Sequence, residues 1–403
     1  MTAHDVLQRS EPLFRLTVEA DGTRERVELG TRLLGFTFED SDHKTDKASL
    51  QLDNFDLSFF DSKLVVKGAL LELSWGYPGR MSPVRTLVVR RVQGFTVLQI
   101  EAHAKSVLLH REQRCRSFEH LTRSAIARQI AREHGFAPAF VHVEDTGEVY
   151  ACANQAGETD ARFLARLAAR EGFRFYIDET GFHWHSRRFD QAPGRVYRYY
   201  TDPGQGDILD IRIDSDVLAK PGRVDVRARD PKGRKTITAA GSDAETKRDT
   251  LGGLIEVVDP ETGRTVLEQR NATASVHASA AAGAGRAKRE ADARFRTSSQ
   301  EAVKLTMRAV GDPAQSAKCV IEIQGISAPL SGKYYVKSVK HAFGAGGYTM
   351  ELGCIKDATG RMERAQASAA KPNLAAAKDP NELRPIELVD PETGRTELAY
   401  RRE

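Results

Sequence analysis

Three groups of residues have types and spacings that chemistry could use. His183-Trp184-His185 sets two imidazoles on one side of an extended strand, at i and i+2, which is half of a metal site. No third ligand follows nearby and Arg187-Arg188 would repel a cation, so the expectation is no metal and a solvated strand face opposite a buried Trp184. His110, Cys115 and His120 recur at five-residue steps, wider than the close pairs that zinc sites use. They read as polar positions scattered around a helix start. Asp178-Glu179 supplies two carboxylates, the complement glycoside hydrolysis needs. Neighbouring carboxylates in a tight turn point to different sides, and nothing suggests an apolar pocket that would raise one pKa, so a turn role is expected. HExxH, GxSxG, GxxxxGK[ST] and GxGxxG are all absent, and no cofactor or catalytic residue is expected.

The elements that carry these residues change period along the chain. Residues 1–110 read as short strands: Phe14 to Val18, Leu34 to Phe38 and Leu50 to Leu52 alternate, and Leu71 to Trp75 ends in the turn-like Gly76-Tyr77-Pro78-Gly79. Such short strands joined by polar turns predict an antiparallel barrel or sandwich. Residues 111–200 predict an α/β insertion. Ser117 can cap a helix with Phe118, Leu121, Ala125, Ile126 and Ile130 on its apolar face and Gly135 as its stop. A second helix follows Thr159, with Phe163, Leu164, Leu167 and Ala168 on one face and Gly172 as its stop. A hairpin then turns at Asp178 to Gly181, with Phe173, Phe175, Ile177, Phe182 and Trp184 on its apolar face.

Residues 201–357 return to strand patterns, at 208–213, 224–228, 303–309, 320, 334–339 and 348–352, and predict a second β set. Within it, the Ala/Gly-rich stretch 271–289 predicts a helix of low packing value or a mobile connection. Residues 358–403 form a polar tail. The predicted class is thus mainly β: two antiparallel barrels, a smaller α/β domain between them and a C-terminal tail.

Length and charge bound the function. The 403 residues suffice for two to four domains at a typical ~100–200 residues each. Lys and Arg number 60 and Asp and Glu 56, and the signs are interspersed: 14 and 15 in residues 1–110, 14 and 12 in 111–200, 32 and 29 in 201–403. Without a basic block there is no field to collect phosphates, so nucleic-acid contact is not required. Apolar runs such as Leu87-Val88-Val89 end at charged pairs, so no membrane span is expected. The first residues carry no secretory pattern, which places synthesis in the cytoplasm. Four scattered cysteines, with no C-x-x-C, fit reduced thiols.

One segment is duplicated. Ile255 to Thr265, IEVVDPETGRT, recurs as Ile386 to Thr396, IELVDPETGRT, differing only at Val257 and Leu388. Asp-Pro-Glu-Thr-Gly is a turn sequence, with proline fixing φ and glycine free to take positive φ, so each copy predicts a portable hairpin. One reading is a local duplication. The other makes Asp390, Pro391, Glu392, Thr393, Gly394 and Arg395 a partner-binding hairpin that occupies a sheet edge on a neighbouring subunit or partner.

From Gln155 to Tyr176 the chain reads QAGETDARFLARLAAREGFRFY. This run resembles the late control gene D proteins of contractile phage tails, relatives of the N-terminal half of VgrG spike proteins. Gln155, Glu158, Asp160, Phe163, Leu164, Arg166, Leu167, Gly172 and Tyr176 carry the family pattern. Ser117 to Phe136, Gly68 to Tyr77, and Val303 through Gly311-Asp312-Pro313 to Tyr335, Val336 and His341 are similar to other stretches of the same family.

The resemblance implies a structural protein of a phage tail or contractile injection particle. Its members form a homotrimeric baseplate hub in which each chain gives two related barrels, so that a pseudo-sixfold ring meets a hexameric inner tube and carries a trimeric spike. VgrG-type chains continue into an OB-fold and a β-helix that have no counterpart here, which predicts a separate spike protein. The implied partners are the inner tube protein, that spike and other baseplate proteins. The alternative is an enzyme, a cell-wall hydrolase delivered by the same particle, with Asp178 or Glu179 as its acid.

Overall fold

Strict alternation sets one face of most strands into a core. In Leu13–Ala20 the buried residues are Leu16, Val18 and Ala20, and in Lys47–Asp53 they are Ala48, Leu50 and Leu52. A computed structural model of the chain describes residues 12–104, 109–199, 206–215, 223–229, 235–241, 254–258, 265–269, 274–279, 283–301, 303–326, 330–344, 347–356, 383–389 and 396–402. The chain divides into two compact units, Met1–Arg361 and Met362–Glu403.

Most strands of the larger unit join one 14-stranded sheet. Its main path runs Ile208–Ser215, Val303–Val310, Gly347–Lys356, Gly332–Gly344, Leu33–Ser41, Lys47–Asp53, Val97–Ala104, Arg85–Gly94, Leu70–Tyr77, Leu13–Ala20 and Thr23–Val27. The two predicted β sets therefore share a sheet. Gly332–Gly344 pairs antiparallel with Leu33–Ser41, in a register from Ser338 opposite Ser41 to Phe343 opposite Phe36. The prediction of two closed barrels is corrected accordingly: among the described residues neither half closes on itself, because the edge that would close each one is taken by the other.

The halves keep separate cores. Trp75, Phe36, Phe38, Leu50 and Leu73 lie in the first, and Tyr197, Leu305, Met307, Tyr334 and Leu352 in the second. The insertion has a third core around Phe163, Leu164, Phe182 and Trp184. At the seam, Tyr348 from the second half enters the first core and stacks on Phe343, with ring centroids 4.1 Å apart. Gly311 makes room for it, since a Cβ there would lie 2.3 Å from the Tyr348 ring.

Three α-helices are described: α1 (Arg123–Glu133), α2 (Asp160–Glu171) and α3 (Ala284–Gln300). α2 begins after Thr159, whose hydroxyl accepts from the Arg162 amide, and ends at Gly172 with φ of 74°. α1 starts later than the Ser117 cap predicted. Residues Gln113–Thr122 are a strand, held against Val149–Thr159, and Thr122 is the cap. Cys115 and His120 consequently sit on that strand and not around a helix start.

The stretch 271–289 also differs from its expectation. It holds the strand Ala274–Ser279 and the first turns of α3, and Ala287 and Ala291 are fully buried against Val226 and Ala228. The small side chains let α3 lie close on the three-stranded sheet of Thr236–Gly241, Arg223–Arg229 and Ala274–Ser279. Among the described residues no helix is long and apolar enough to cross a membrane.

Both copies of the duplicated segment are flanked by paired strands. Leu254–Val258 pairs with Thr265–Gln269, and Leu383–Val389 pairs with Thr396–Arg402, each as a two-stranded sheet. Corresponding positions share one register: Val258 faces Thr265 as Val389 faces Thr396. The connecting residues, including Asp390, Pro391, Glu392, Thr393, Gly394 and Arg395, lie outside the described residues.

Candidate functional site

The Gln155 to Tyr176 run spans the end of one strand, all of α2 and the first strand of the hairpin, and its polar residues meet around one buried carboxylate. Asp160, at the first position of α2, accepts from Arg116 Nη2 at 2.8 Å and Gln155 Nε2 at 2.8 Å, and His134 Nε2 lies 2.8 Å away. Gln155 is itself buried, donates to the Glu158 carbonyl and accepts from Arg116 Nε. Burial alone would raise the Asp160 pKa. The bonds from His134 and Gln155 and the charges of Arg116 and Arg114 outweigh it and hold the carboxyl below its usual range.

The rest of the run builds the insertion core. Glu158 pairs with Arg166, which also donates to the Asn154 carbonyl at 2.9 Å. Phe163 stacks on Phe118 at 5.5 Å, and Trp184 Nε1 donates to the Leu164 carbonyl at 3.2 Å. Leu167 is buried beside them. Gly172 combines the left-handed backbone of a helix stop with a close approach to α3, since a Cβ would lie 3.3 Å from Ala293 Cα. Tyr176 turns the other way: its ring stacks on His183 and lies 4.7 Å under Lys318 Nζ of the second half.

Tyr176 thus borders a junction where all three parts meet through buried charge. Arg187 of the insertion donates to Asp42 of the first half at 2.8 Å and to Glu301 at 3.0 Å, and Lys337 reaches the same Glu301 at 3.1 Å. Nearby, Lys318 donates to Asp40 at 2.6 Å, and the Ala317 amide donates to the same side chain at 2.8 Å. Burial opposes the charge on Lys318, but Asp40 and Asp46 raise its pKa. Asp46 is pushed well up, by burial first and by the Asp40 charge second. Sequence reading found none of Arg116, His134, Asp42, Arg187, Glu301 or Lys318. The partners named above lie between 26 and 278 residues away along the chain, and no local pattern marks those pairings.

The candidate chemical groups are occupied by this architecture. His183 and His185 are buried, which corrects the solvated face predicted for them. His183 Nε2 lies 3.0 Å from Asp178, and His185 Nε2 lies 3.3 Å from the Tyr176 hydroxyl. The reason is local packing: the rings of His142 and Tyr176 stack on His183, Tyr176 also meets His185, and Lys318 of the second half lies over Tyr176. Asp178 accepts from the Thr180 amide at 2.9 Å and from its hydroxyl at 2.6 Å, a side-chain turn of the kind expected. Burial raises its pKa, but His183 and Thr180 pull it well below the carboxylate range. Glu179 pairs with Arg85. A general acid needs the opposite shift. Among the described residues no group of three His, Cys, Asp or Glu is placed to hold a metal ion.

The sequence pattern of the phage tail baseplate hub (GPD) family matches residues 68–347, well over half of the chain. The chain belongs to that family. Hub proteins of this family are structural components of a phage tail or contractile injection particle, and the matched stretch contains the whole Gln155 to Tyr176 run.

The hub's fold is shared with solved structures of low identity. A tail protein from Neisseria meningitidis is similar with a TM-score of 0.60 and 12% identity, over 85% of this chain and 97% of that one. The 43 kDa tail protein of prophage MuSo2 from Shewanella oneidensis gives 0.59 and 14%, over 86% of this chain and 100% of that one. A chain of the Francisella PdpA-VgrG complex gives 0.50 and 10%, over 89% of this chain and 54% of that one. No curated protein gives a match.

Proposed function

We propose that this hub protein works as a homotrimer that adapts a hexameric inner tube to a separate trimeric spike, without catalytic activity of its own. The observation that carries the reading is the seam between Gly332–Gly344 and Leu33–Ser41, which fuses two β units with separate cores into one sheet. Three such chains about a threefold axis bring six β units into one assembly, the number a sixfold tube end requires. Among the described residues Thr23–Val27 and Ile208–Ser215 end the main path of the sheet, and their free edges support a head-to-tail closure between subunits. The three cores support the division into a first β domain (1–110), an α/β insertion (111–200) and a second β domain (201–357), with 358–403 as a tail.

The particle is a phage tail or a contractile injection apparatus built in the bacterial cytoplasm, and other baseplate proteins complete the hub's surroundings. Light scattering of the full-length protein, alone and mixed with tube and spike proteins, tests the reading. A trimer that binds both is expected, and a protein that stays monomeric in every mixture overturns it. The tail hairpin is read as a strand pair that adds to a sheet edge on a neighbouring subunit or partner, since a lone two-stranded hairpin is marginal in water. Deleting residues 380–403 should weaken one association, and unchanged assembly with every partner refutes that role.

A further inference from the structure

Between α2, the strand Phe173–Asp178 and α3 lies an open cleft of about 610 Å³. Arg166, Arg170, Arg174 and Arg294 line it, with Glu290 and Glu301 on the same walls. Most acids near it are committed. Arg123 takes Glu171 at 2.5 Å, Arg166 takes Glu158, and Arg294 takes Glu290 at 2.9 Å. Glu301 accepts from Arg187 and Lys337.

Two arginines are left short of partners. Half-buried Arg170 makes no hydrogen bond or ion pair with any described residue; its pKa is lowered by burial and then by the charges of Arg123 and Arg166, against the smaller opposing effect of Glu290 across the cleft. Arg174 makes only long contacts, to the Phe173 carbonyl at 3.4 Å, Glu301 at 3.5 Å and Asp42 at 3.8 Å, and its buried Nε has no acceptor. A guanidinium among like charges with no directly bonded carboxylate is costly to the isolated protein, and an arriving anion relieves it. Its planar fork matches a carboxylate with two parallel bonds.

We propose that this cleft is a docking site for an acidic segment of a partner protein, with a carboxylate received by Arg170 and Arg174. The two glutamates on the walls select against a run of phosphates, which would meet them at every register. A peptide can set one acid on the arginines and its amides against the glutamates. The inference is independent of the trimer and of the tube and spike, because it rests on the cleft within one chain.

Full-length protein titrated with a hexaglutamate peptide at low ionic strength, followed by Tm and by calorimetry, tests the site. Hexaglutamate should raise the Tm of the unmodified protein to a saturating value. Arg170→Gln should bind about tenfold more weakly. Its ligand-free Tm should be unchanged or higher, because like-charge repulsion is removed. Arg174→Gln should weaken binding in the same sense. Arg308→Gln, on an exposed position of Val303–Val310, should bind as the unmodified protein does. Binding that is undiminished in Arg170→Gln overturns the proposal, as does a clear fall in its ligand-free Tm, which would make Arg170 a structural residue. A Tm rise with inorganic phosphate or a short DNA duplex that matches hexaglutamate and is lost in Arg170→Gln overturns the peptide assignment.

Discussion

The indole N–H of Trp75 donates to the hydroxyl of Tyr348 at 3.1 Å, joining the two β halves inside the first core. That hydroxyl lies 2.7 Å from His341 Nδ1, and His341 Nε2 lies 3.0 Å from the Gln315 carbonyl. A carbonyl can only accept, so the imidazole proton is on Nε2 and Nδ1 accepts from Tyr348. One hydroxyl therefore satisfies a buried donor and a buried acceptor. Tyr348→Phe removes both bonds while keeping the ring, and should destabilise the protein by about 2–4 kcal/mol in chemical denaturation. A loss below about 1 kcal/mol would show that the relay contributes little.

The same histidine gives the seam a pH dependence. Burial lowers the His341 pKa to about 4, against the opposing effects of Asp40 and the Gln315 bond. In the unfolded chain the imidazole takes its proton near pH 6.5. Between those values the unfolded state binds more protons, so stability is fully present above about pH 6.5 and falls as pH drops toward 4, by up to about 3 kcal/mol. Urea midpoints measured across that range should show the slope, and His341→Gln should flatten it.

Asp160 should dominate the insertion. Asp160→Ala leaves Arg116 and Gln155 without their buried acceptor and should cost about 3–5 kcal/mol. Gln155→Ala made in the same background should add less than its separate effect, because both residues serve one network. Thermal melts of the two single variants and the double variant give the coupling.

Two glycines predict steric losses of different kinds. Gly311→Ala drives a methyl into the Tyr348 ring and should lower stability by about 2 kcal/mol or more. Gly172→Ala meets a positive φ and the α3 backbone, and a loss of about 1–2 kcal/mol is expected. Full stability of Gly311→Ala in a melt would mean that Tyr348 does not hold its seam position.

Much of the fold is legible where the signal is local. The strands at 14–18, 50–52 and 303–309, the capped helix α2 with its Gly172 stop, and the hairpin at 173–184 follow from period and turn residues within a few positions. The start of α1 was not legible, because Phe118 and Leu121 fit a helical face and a strand equally well. Pairing with Val149–Thr159, some 30 residues on, decided for a strand. Nor could composition show that the alanines of α3 are packing residues, since a small side chain has value only against the neighbour that approaches it.

The sequence by itself determined the mainly β character, the capped helix α2, the paired strands at each copy of the duplicated segment and the resemblance to the baseplate hub family. Those features depend on the chemistry of neighbouring residues. Tertiary structure alone decided that Gly332–Gly344 pairs with Leu33–Ser41, so that two β sets form one sheet instead of two closed barrels. It also decided that His183 and His185 are buried, that Asp42 finds Arg187, and that Arg170 bonds to no described acid. The seam register and the Asp42–Arg187 pair join groups more than a hundred residues apart, whose relative positions no local preference specifies.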